Sequence, residues 1–401
     1  MAPTSVMVGM QEKEATILLE TSEFTPPEYT MKQIHDAIPV HCFKPNTLLS
    51  FSYILRDFLY VLVLGSIAAT QIPKLESPTF RNLAWAAYAF CQGLVFTGLW
   101  ELAHECGHGA LSKKRWFNHS MGMLMHSFLF VPYHSWRFTH SHHHKSTNNL
   151  EQDIAFVPDL KKDYEAKRDA RGSLEWGDLI EDMPIVTLVW LFFHQLIAFP
   201  LYLTINNFAL SWIRDAPWWK RSHFYFGPGG PLFKDANRND IIISDLGIAT
   251  AAFVLWVAVH CFGAKNVMLL YGFPYLWTNH WILTITYLQH TSSALPYYSS
   301  PSWTFLRGAA STIDRDFGFI GRHLFHGAIE THVLHHHASR IPFYHATEAT
   351  AAMRQVMGTH YQSNFKTNYL LAFWRNLRNC RYVVERKEGS GIWFFDSPKE
   401  L

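Results

Sequence analysis

Hydrophobic residues in this chain gather into long runs that polar, charged stretches separate. Two clear runs cover about 48–70 and 83–103, and three more follow at about 184–205, 246–262 and 266–288. A run of roughly 20 apolar residues matches the hydrocarbon core of a bilayer at a helical rise of about 1.5 Å per residue. The pattern therefore predicts an all-α integral membrane protein rather than a set of soluble domains.

Polar segments lie at both ends of this pattern. Residues 1–47 are mixed in charge, contain several prolines that interrupt any long helix, and show no signal-peptide pattern. We predict a polar cytosolic N-terminal tail over 1–47, a membrane domain over 48–396 and a C-terminal tail over 397–401.

Composition supports a membrane protein and raises metal binding. Charged residues make up 16% of the chain, against about 25% in soluble proteins, and the net charge of +2 is too small to indicate nucleic-acid binding. The five cysteines are scattered without a C-x-x-C pair, which argues against a disulfide framework. The 24 histidines are the most unusual feature, because histidine is the commonest metal ligand.

Three histidine clusters flank the apolar runs. The first, within 104–108, places two histidines four residues apart, and the other two, within 140–144 and 332–336, place histidines at i, i+3 and i+4. These spacings put the rings of each cluster on one helix face. The eight predicted ligands are His104, His108, His140, His143, His144, His332, His335 and His336. Eight imidazoles are too many for one zinc ion, which usually takes four ligands, so two metal ions fit better.

Other histidines have weaker claims to a metal. His290, at the end of the last apolar run, is a ninth candidate ligand. His142 and His337 belong to clusters but fall off the shared face, so we expect neighbours rather than ligands. Isolated histidines are expected to serve packing or hydrogen bonding: His119, His126, His134, His194, His260 and His280.

A shared site for the three clusters constrains the topology. The run 120–133, of about 14 residues, is too short to span and separates the first two clusters, so it is expected to be re-entrant or interfacial. If all three apolar runs after residue 184 crossed the membrane, the third cluster would lie on the opposite side from the first two. One of these runs is therefore expected to be re-entrant or interfacial, and the run 184–205, broken by Pro200, is the candidate. This leaves roughly four spanning helices and a cytosolic helical cap. Lys113, Lys114 and Arg115 place that cap in the cytosol by the positive-inside rule.

Two other classes of protein share parts of this pattern. His104 to His108 matches the H-E-x-x-H signature of zinc metalloproteases, although a protease gives no reason for two further H-x-x-H-H repeats. A histidine-rich metal transporter is expected to hold its ligands near mid-bilayer, whereas these clusters flank aqueous stretches. A single bound zinc would favour the protease, and two iron ions an oxygenase.

At these clusters the sequence resembles the microsomal membrane fatty acid desaturases of plants and fungi, both the Δ12 (ω6) oleate and the ω3 enzymes. The resemblance runs from about residue 30 to residue 396. The matching stretches are AIPVHCF (37–43), AHECGH (103–108), HSFLFVPYHSW (126–136), ITYLQHT (285–291), TIDRDFG (312–318) and ETHVLHHH (330–337). HVLHH and IPFYHATEA (341–349) are most similar to the fungal members.

The resemblance implies an endoplasmic reticulum enzyme with a cytosolic di-iron site. It implies O2 as co-substrate, cytochrome b5 with its reductase as electron donor, and a phospholipid-bound acyl substrate, and it leaves a homo- or heterodimer open. The iron ligands it implies are the eight clustered histidines, with His290 as an additional one. The expected activity is Δ12 desaturation of oleoyl to linoleoyl chains; the alternatives are ω3 (Δ15) desaturation and a specialised acetylenase or conjugase.

Some positions depart from the usual family pattern. Gly109 and Ala110 stand where plant members carry a histidine and an alanine, and Tyr297 stands where a histidine is common. These departures leave the ligand set intact but bear on regioselectivity. Imidazole ligands also need partners on their second ring nitrogen, and the acids beside the clusters are candidates: Glu101, Glu105, Asp153, Asp314, Asp316 and Glu330.

Overall fold

The computed structural model describes residues 24–155, 157–170, 184–206 and 209–396. Residues 1–23 of the predicted N-terminal tail and the whole predicted C-terminal tail lie outside the described residues. The described part is mainly helical. Its α-helices are α1 (Met31–Ala37), α2 (Thr47–Gln71), α3 (Pro78–His108), α4 (Arg115–Phe128), α5 (Tyr133–Ser146), α6 (Lys161–Ala170), α7 (Pro184–Thr204), α8 (Ser211–Arg214), α9 (Arg238–Phe262), α10 (Ala264–Val267), α11 (Phe273–His290), α12 (Phe305–Ala310), α13 (His332–Ala338), α14 (Phe343–Met357) and α15 (Tyr369–Asn379).

Local sequence signals fix the ends of the first long helices. The Asn46 side chain accepts hydrogen bonds from the first-turn amides of α2, and Ser77 with Pro78 begins α3. Gly109 ends α3 in a left-handed conformation with φ 74°, which favours glycine because it has no Cβ. The helix α3 therefore ends at His108, so that His104 and His108 lie in its last turn.

Three helical segments within the described ranges are long and apolar enough to cross a membrane: Thr47–Lys74, Pro78–His108 and Asp235–Phe262. Only 17% of the most apolar window of the first and 11% of the third are buried, against 61% of α3. Exposed apolar helices on this scale are typical of a lipid-facing surface. The helix α3 therefore lies at the centre of the bundle, and α2 and the segment containing α9 lie at its outside.

A fourth long segment packs against the central helix. The helix α10, a π-helical turn at Met268–Gly272 and α11 follow one another without a break. A Cβ at Gly93 of α3 would lie 2.4 Å from the Cβ of Trp277, so this glycine permits the close approach of α3 and α11. The predicted number of roughly four spanning helices stays a prediction.

The run that contains Pro200 differs from the expectation. The helix α7 continues through Pro200 to Thr204, so the predicted break there is wrong. Proline lacks the amide that would bond to the carbonyl of Leu196, and the side chain of Asn279 donates a hydrogen bond to that carbonyl at 3.3 Å instead. A neighbouring helix thus supplies the missing donor.

The all-α expectation is also incomplete, because short strands join the C-terminal part of the chain. A four-stranded sheet has the order β1-β5-β6-β2, and β3 pairs with β4. The strands are β1 (Asp159–Leu160), β2 (Tyr297–Tyr298), β3 (Asp314–Arg315), β4 (Ser363–Asn364), β5 (Tyr382–Glu385) and β6 (Ile392–Phe395). Aromatic and β-branched residues in β5 and β6, with positive-φ glycines at 389 and 391 between them, favour this hairpin.

Candidate metal centre

Four helices bring the predicted histidines to one place. The last turn of α3 carries the first cluster, α5 the second and α13 the third, while His290 ends α11. Asp314 helps to fix α13, because its carboxylate accepts a hydrogen bond from the amide of Val333 at 2.7 Å. Helices that are distant in sequence therefore meet at one end of the bundle.

Five imidazoles form a first group. Ligand atoms of His104, His108, His140, His144 and His335 all lie within 4.8 Å of one another. The Nε2 atom of His140 is 2.9 Å from that of His104 and 3.0 Å from that of His144. The Nε2 atom of His335 is 3.1 Å from that of His144. Five nitrogens thus point at one small volume.

A second group lies beside the first. Ligand atoms of His143, His290 and His336 lie within 4.8 Å of one another, and His332 joins them because its Nε2 is 3.0 Å from that of His290. The rings of His144 and His336 stack at 4.1 Å between centroids and so connect the two groups. All nine predicted histidines are therefore brought together, in sets of five and four.

The two cluster members expected to be neighbours do lie outside these groups. His142 is exposed, and its Nε2 is 3.0 Å from the carbonyl of Gln152. His337 is buried, with Nδ1 2.7 Å from the carbonyl of Val333 and Nε2 3.0 Å from the hydroxyl of Tyr29. Their ring nitrogens thus bond to backbone carbonyls and a tyrosine hydroxyl rather than to the rings of the two groups.

The state of these rings fits metal binding. Burial, together with the neighbouring imidazoles, holds the pKa of His140, His144, His332, His335 and His336 well below the usual value. Neutral imidazole is the form that binds a metal ion. In addition, the buried Nε2 of His336 lacks a hydrogen-bond partner in the described structure. Because unpaired buried polar atoms are costly, the set fits a pair of imidazole-bound metal ions.

Three of the six predicted acids face the rings. Asp153 Oδ1 is 2.8 Å from His143 Nδ1. Glu105 Oε1 lies 3.5 Å from His104 Nδ1 and 3.7 Å from His335 Nδ1, and Glu101 Oε2 lies 3.6 Å from His104 Nδ1. These carboxylates can orient the imidazoles through their second nitrogens.

The other three acids act on the backbone beside the centre. Asp314 accepts hydrogen bonds from the amide of Val333 and the hydroxyl of Tyr361. Asp316 pairs with Arg322 at 2.8 Å, and Glu330 accepts from the amide of Phe317 at 3.0 Å. Their carboxylates hold the loop before α13 rather than the rings, so of the six candidate acids Glu101, Glu105 and Asp153 are the ones that face a ring.

Sequence reasoning missed two partners of the site. The hydroxyl of Thr147, one turn after the second cluster, is 3.1 Å from Nδ1 of His336. His326, from the loop before α13, is buried with its Nε2 2.8 Å from the carboxylate of Asp57, which also pairs with Arg56. His326 lies 269 residues from Asp57 along the chain, so no local sequence signal indicates this contact.

A cavity of about 300 Å³ opens onto the histidines. Its wall includes His140, His143, His332 and His335 on the polar side. Its apolar side includes Trp100, Trp136, Ala198, Phe199, Leu283 and Ile285. A largely apolar slot with a few convergent polar groups is typical of a ligand site.

Comparison with known proteins gives the family. The family model described as fatty acid desaturase matches residues 83–368. An oleate hydroxylase of Claviceps purpurea is 40% identical over 99% of this chain and 87% of its own length. The Delta(12) fatty acid desaturase of Mortierella isabellina is 39% identical over 98% and 99%, and that of Arabidopsis thaliana is 36% identical over 92% of both chains.

The chain belongs to the fatty acid desaturase family. It is therefore an oxidoreductase of lipid metabolism, and the family implies a lipid acyl substrate and membrane association. The resemblance predicted from the histidine clusters is confirmed. Membership also decides against the zinc protease and the metal transporter, neither of which accounts for nine converging imidazoles.

The residues that depart from the family pattern lie close to the histidine groups, but none of them replaces one of the nine predicted ligands. Gly109 caps α3 directly after His108. Tyr297 is buried and donates a hydrogen bond from its hydroxyl to the carbonyl of His290 at 3.2 Å. This bond ties the segment after α11 to the helix end that carries a predicted ligand, so Tyr297 supports the centre through the backbone.

Proposed function

We propose that this desaturase introduces a cis double bond at Δ12 of an oleoyl chain held in a phospholipid, using two iron ions, O2 and two electrons. The observation that carries the proposal is the convergence of nine imidazoles, in sets of five and four, on an apolar cavity. Curated relatives named Delta(12) fatty acid desaturase, from both fungi and plants, favour the Δ12 position.

The overall reaction balances without any group beyond those named. Two vicinal hydrogens leave the acyl chain and join two protons, two electrons and O2 to give the double bond and two waters. A methylene of this kind cannot be deprotonated by a side chain at neutral pH, so bound iron would supply the redox chemistry. The proposed ligands of one ion are the first histidine group and those of the other are His143, His290, His332 and His336.

The protein's own part is orientation and the exclusion of water. Asp153 and Thr147 fix the rings of His143 and His336 through Nδ1, which leaves Nε2 of each for a metal. Trp100 and Phe199 line the cavity beside the rings. An acyl chain along this apolar wall would displace water and present one pair of carbons to the centre.

The membrane topology follows from where the long helices end. The cluster lies at the C-terminal ends of α3 and α11, so each of these helices would cross towards the side that holds it. The helices α2 and α9 would then cross away from that side, which gives four crossings. The exposed Lys113, Lys114 and Trp116 follow α3, and basic residues with an interfacial tryptophan at this end favour a cytosolic location under the positive-inside rule.

The electron donor and the location follow from family resemblance. We propose the endoplasmic reticulum membrane and cytochrome b5 with its reductase. One curated relative, from Brassica juncea, is named an omega-6 fatty acid desaturase of the endoplasmic reticulum. The exposed basic residues Lys113, Lys114 and Arg115 offer a surface for an acidic donor or for anionic headgroups.

Expression in a yeast that makes no polyunsaturated fatty acids tests the reaction. New linoleate supports Δ12 desaturation, whereas trienes that appear only when linoleate is fed support the ω3 alternative. Replacing His143 or His335 with alanine should abolish the product. Retained product in either variant would contradict the assignment of these rings.

A second candidate is hydroxylation of oleate, which the Claviceps purpurea relative favours by its similarity over nearly the whole chain. Hydroxylation consumes the same O2 and electrons but returns one oxygen atom to the acyl chain and one to water. The same yeast experiment separates the two reactions. A hydroxylated oleate without linoleate would replace the desaturase proposal, and linoleate as the main product would uphold it.

A further inference from the structure

A second group of metal-type donors lies outside the nine histidines. Ligand atoms of His41, Cys42, His345 and Glu348 all lie within 4.8 Å of one another. Cys42 is buried, while the other three reach the surface to different degrees. We call these four side chains the outer donor cluster.

Two chain segments distant in sequence build the outer donor cluster. His41 and Cys42 lie in the 3-10 turn Val40–Phe43, while His345 and Glu348 are three apart on the first turns of α14 and so share a face. The Nε2 atom of His41 is 2.9 Å from Glu348 Oε2 and 3.7 Å from Cys42 Sγ. Tetrahedral zinc with nitrogen and sulfur ligands spaces its donor atoms by about 3.3–3.7 Å. The 3.7 Å between His41 Nε2 and Cys42 Sγ falls at this spacing, and all four donors lie within 4.8 Å of one another.

A plain ion pair does not explain the arrangement. The side chains of His41 and Glu348 are 55% and 53% exposed, and an exposed pair of this kind contributes little to stability. It also gives no reason for a thiol beneath it. Burial and the nearby Glu348 carboxylate raise the pKa of the Cys42 thiol, so thiol and carboxylate oppose each other's charged forms. A cation between the two would reverse that opposition.

The donor types select the class of cation. Two imidazoles, one thiolate and one carboxylate are the ligands of zinc and of similar borderline divalent ions, whereas magnesium and calcium prefer oxygen. Burial and the neighbouring His41 lower the pKa of His345, which keeps its ring in the neutral, metal-binding form.

We propose that His41, Cys42, His345 and Glu348 form a structural zinc-type site, separate from the iron centre. On binding, the Cys42 S–H ionises and its proton goes to solvent, while the two imidazoles and the carboxylate donate lone pairs. No redox step is involved. The full set of four protein ligands leaves no open position, which is typical of structural rather than catalytic zinc.

The position of the site explains what it would stabilise. Cys42 packs in one buried cluster with Ile34 and Ile38 of the N-terminal segment, and with Val333 and Leu334 of α13. The helix α14 packs on both α1 and α13. A metal ion here would clamp the N-terminal segment onto the helices behind the third histidine cluster.

Zinc titration of the iron-loaded, full-length protein in detergent tests the site. Wild type should take up one zinc ion per chain without loss of iron. The variants Cys42→Ser and His345→Ala should bind it on the order of 100-fold more weakly, since even the outer partners of metal ligands contribute about 10- to 100-fold. Glu348→Gln, which keeps an exposed side chain of the same size, should weaken zinc binding likewise. His35→Ala, which removes an exposed neighbouring histidine, is the matched control and should bind as wild type does.

Cobalt loading gives a second measurement, which would not change if these residues only packed together without binding a metal ion. Co²⁺ bound to a thiolate absorbs in the near ultraviolet, and this band should vanish in Cys42→Ser but persist in Cys91→Ser and Cys261→Ser, whose thiols are exposed elsewhere. Equal zinc affinity in wild type and Glu348→Gln would overturn the proposal. So would zinc that only replaces iron, or a cobalt band that survives in Cys42→Ser.

Discussion

The Nδ1 atom of His143 lies 2.8 Å from Oδ1 of Asp153, and both side chains are buried. The carboxylate is itself fixed, because it accepts hydrogen bonds from the amides of Asn148 at 3.1 Å and Ala155 at 3.0 Å. A turn of backbone thus holds the carboxylate, and the carboxylate holds the ring. The free Nε2 of His143 then faces His290 at 3.4 Å.

Replacing Asp153 should loosen the second histidine group. In Asp153→Ala we expect a loss of roughly 10- to 100-fold in iron affinity or in activity, since orienting partners of metal-bound histidines contribute about this much. Iron analysis of the purified variant and product analysis in yeast measure both quantities. Asp159→Ala, which removes a carboxylate that pairs with Lys167 and belongs to none of the histidine-bearing elements, is the control and should keep its iron. Equal losses in the two variants would contradict the role of Asp153.

The contact between α3 and α11 depends on Gly93. In Gly93→Ala the new methyl would lie 2.4 Å from the Cβ of Trp277 and 2.9 Å from the carbonyl of Pro274, so the helices must separate. We expect a loss of about 1–3 kcal/mol, measured by thermal unfolding in detergent. In the control Gly65→Ala the nearest atom is the Tyr88 hydroxyl at an ordinary 3.7 Å, and helix propensity predicts a gain of up to about 1 kcal/mol. A neutral effect at position 93 would show that the helices are not in close contact.

Ala198 tests whether the cavity holds the acyl chain. This residue of α7 is 3% exposed and lines the cavity, so Ala198→Phe should fill part of the space. We expect product to fall at least about tenfold while iron content stays unchanged, because the ligands are untouched. Leu188→Phe adds a ring to an exposed position of the same helix and should be neutral. Normal product from Ala198→Phe would place the substrate elsewhere.

Much of the histidine site can be predicted from the sequence, because the periodicity of a helix depends only on the spacing of neighbouring residues. The i, i+3 and i+4 spacings predict that His140, His143 and His144 share one helix face, and the off-face His142 lies outside the histidine groups. Apolar run length likewise predicted the long helices. The assignment of the nine rings as iron ligands stays a prediction.

Contacts between distant segments could not be predicted in the same way. His326 reaches Asp57 across 269 positions, and nothing in either local sequence specifies the other. The unbroken course of α7 through Pro200 depends on Asn279 of another helix. Glu330 lies two residues before His332 in the sequence, yet its carboxylate accepts a hydrogen bond from the backbone amide of Phe317. Asp316 pairs with Arg322 rather than with a ring.

His126 should make stability sensitive to acid. Its ring is fully buried against Trp136, and burial lowers its pKa from 6.5 to about 3. Below pH 6.5 the unfolded chain binds a proton that the folded one does not, so stability falls as the pH drops from about 6.5 towards 3. At pH 5 this costs about 2 kcal/mol. Melting curves of His126→Leu should therefore fall less between pH 7 and pH 5 than those of wild type, and parallel curves would contradict this.

The most direct test is to measure the metal content of the purified, active protein and of variants that each lack one histidine. The two histidine groups predict two iron ions per chain, with loss of iron from both His335→Ala in the first group and His143→Ala in the second. An active protein without iron, or one that holds a single zinc ion in place of the iron pair, would contradict the account.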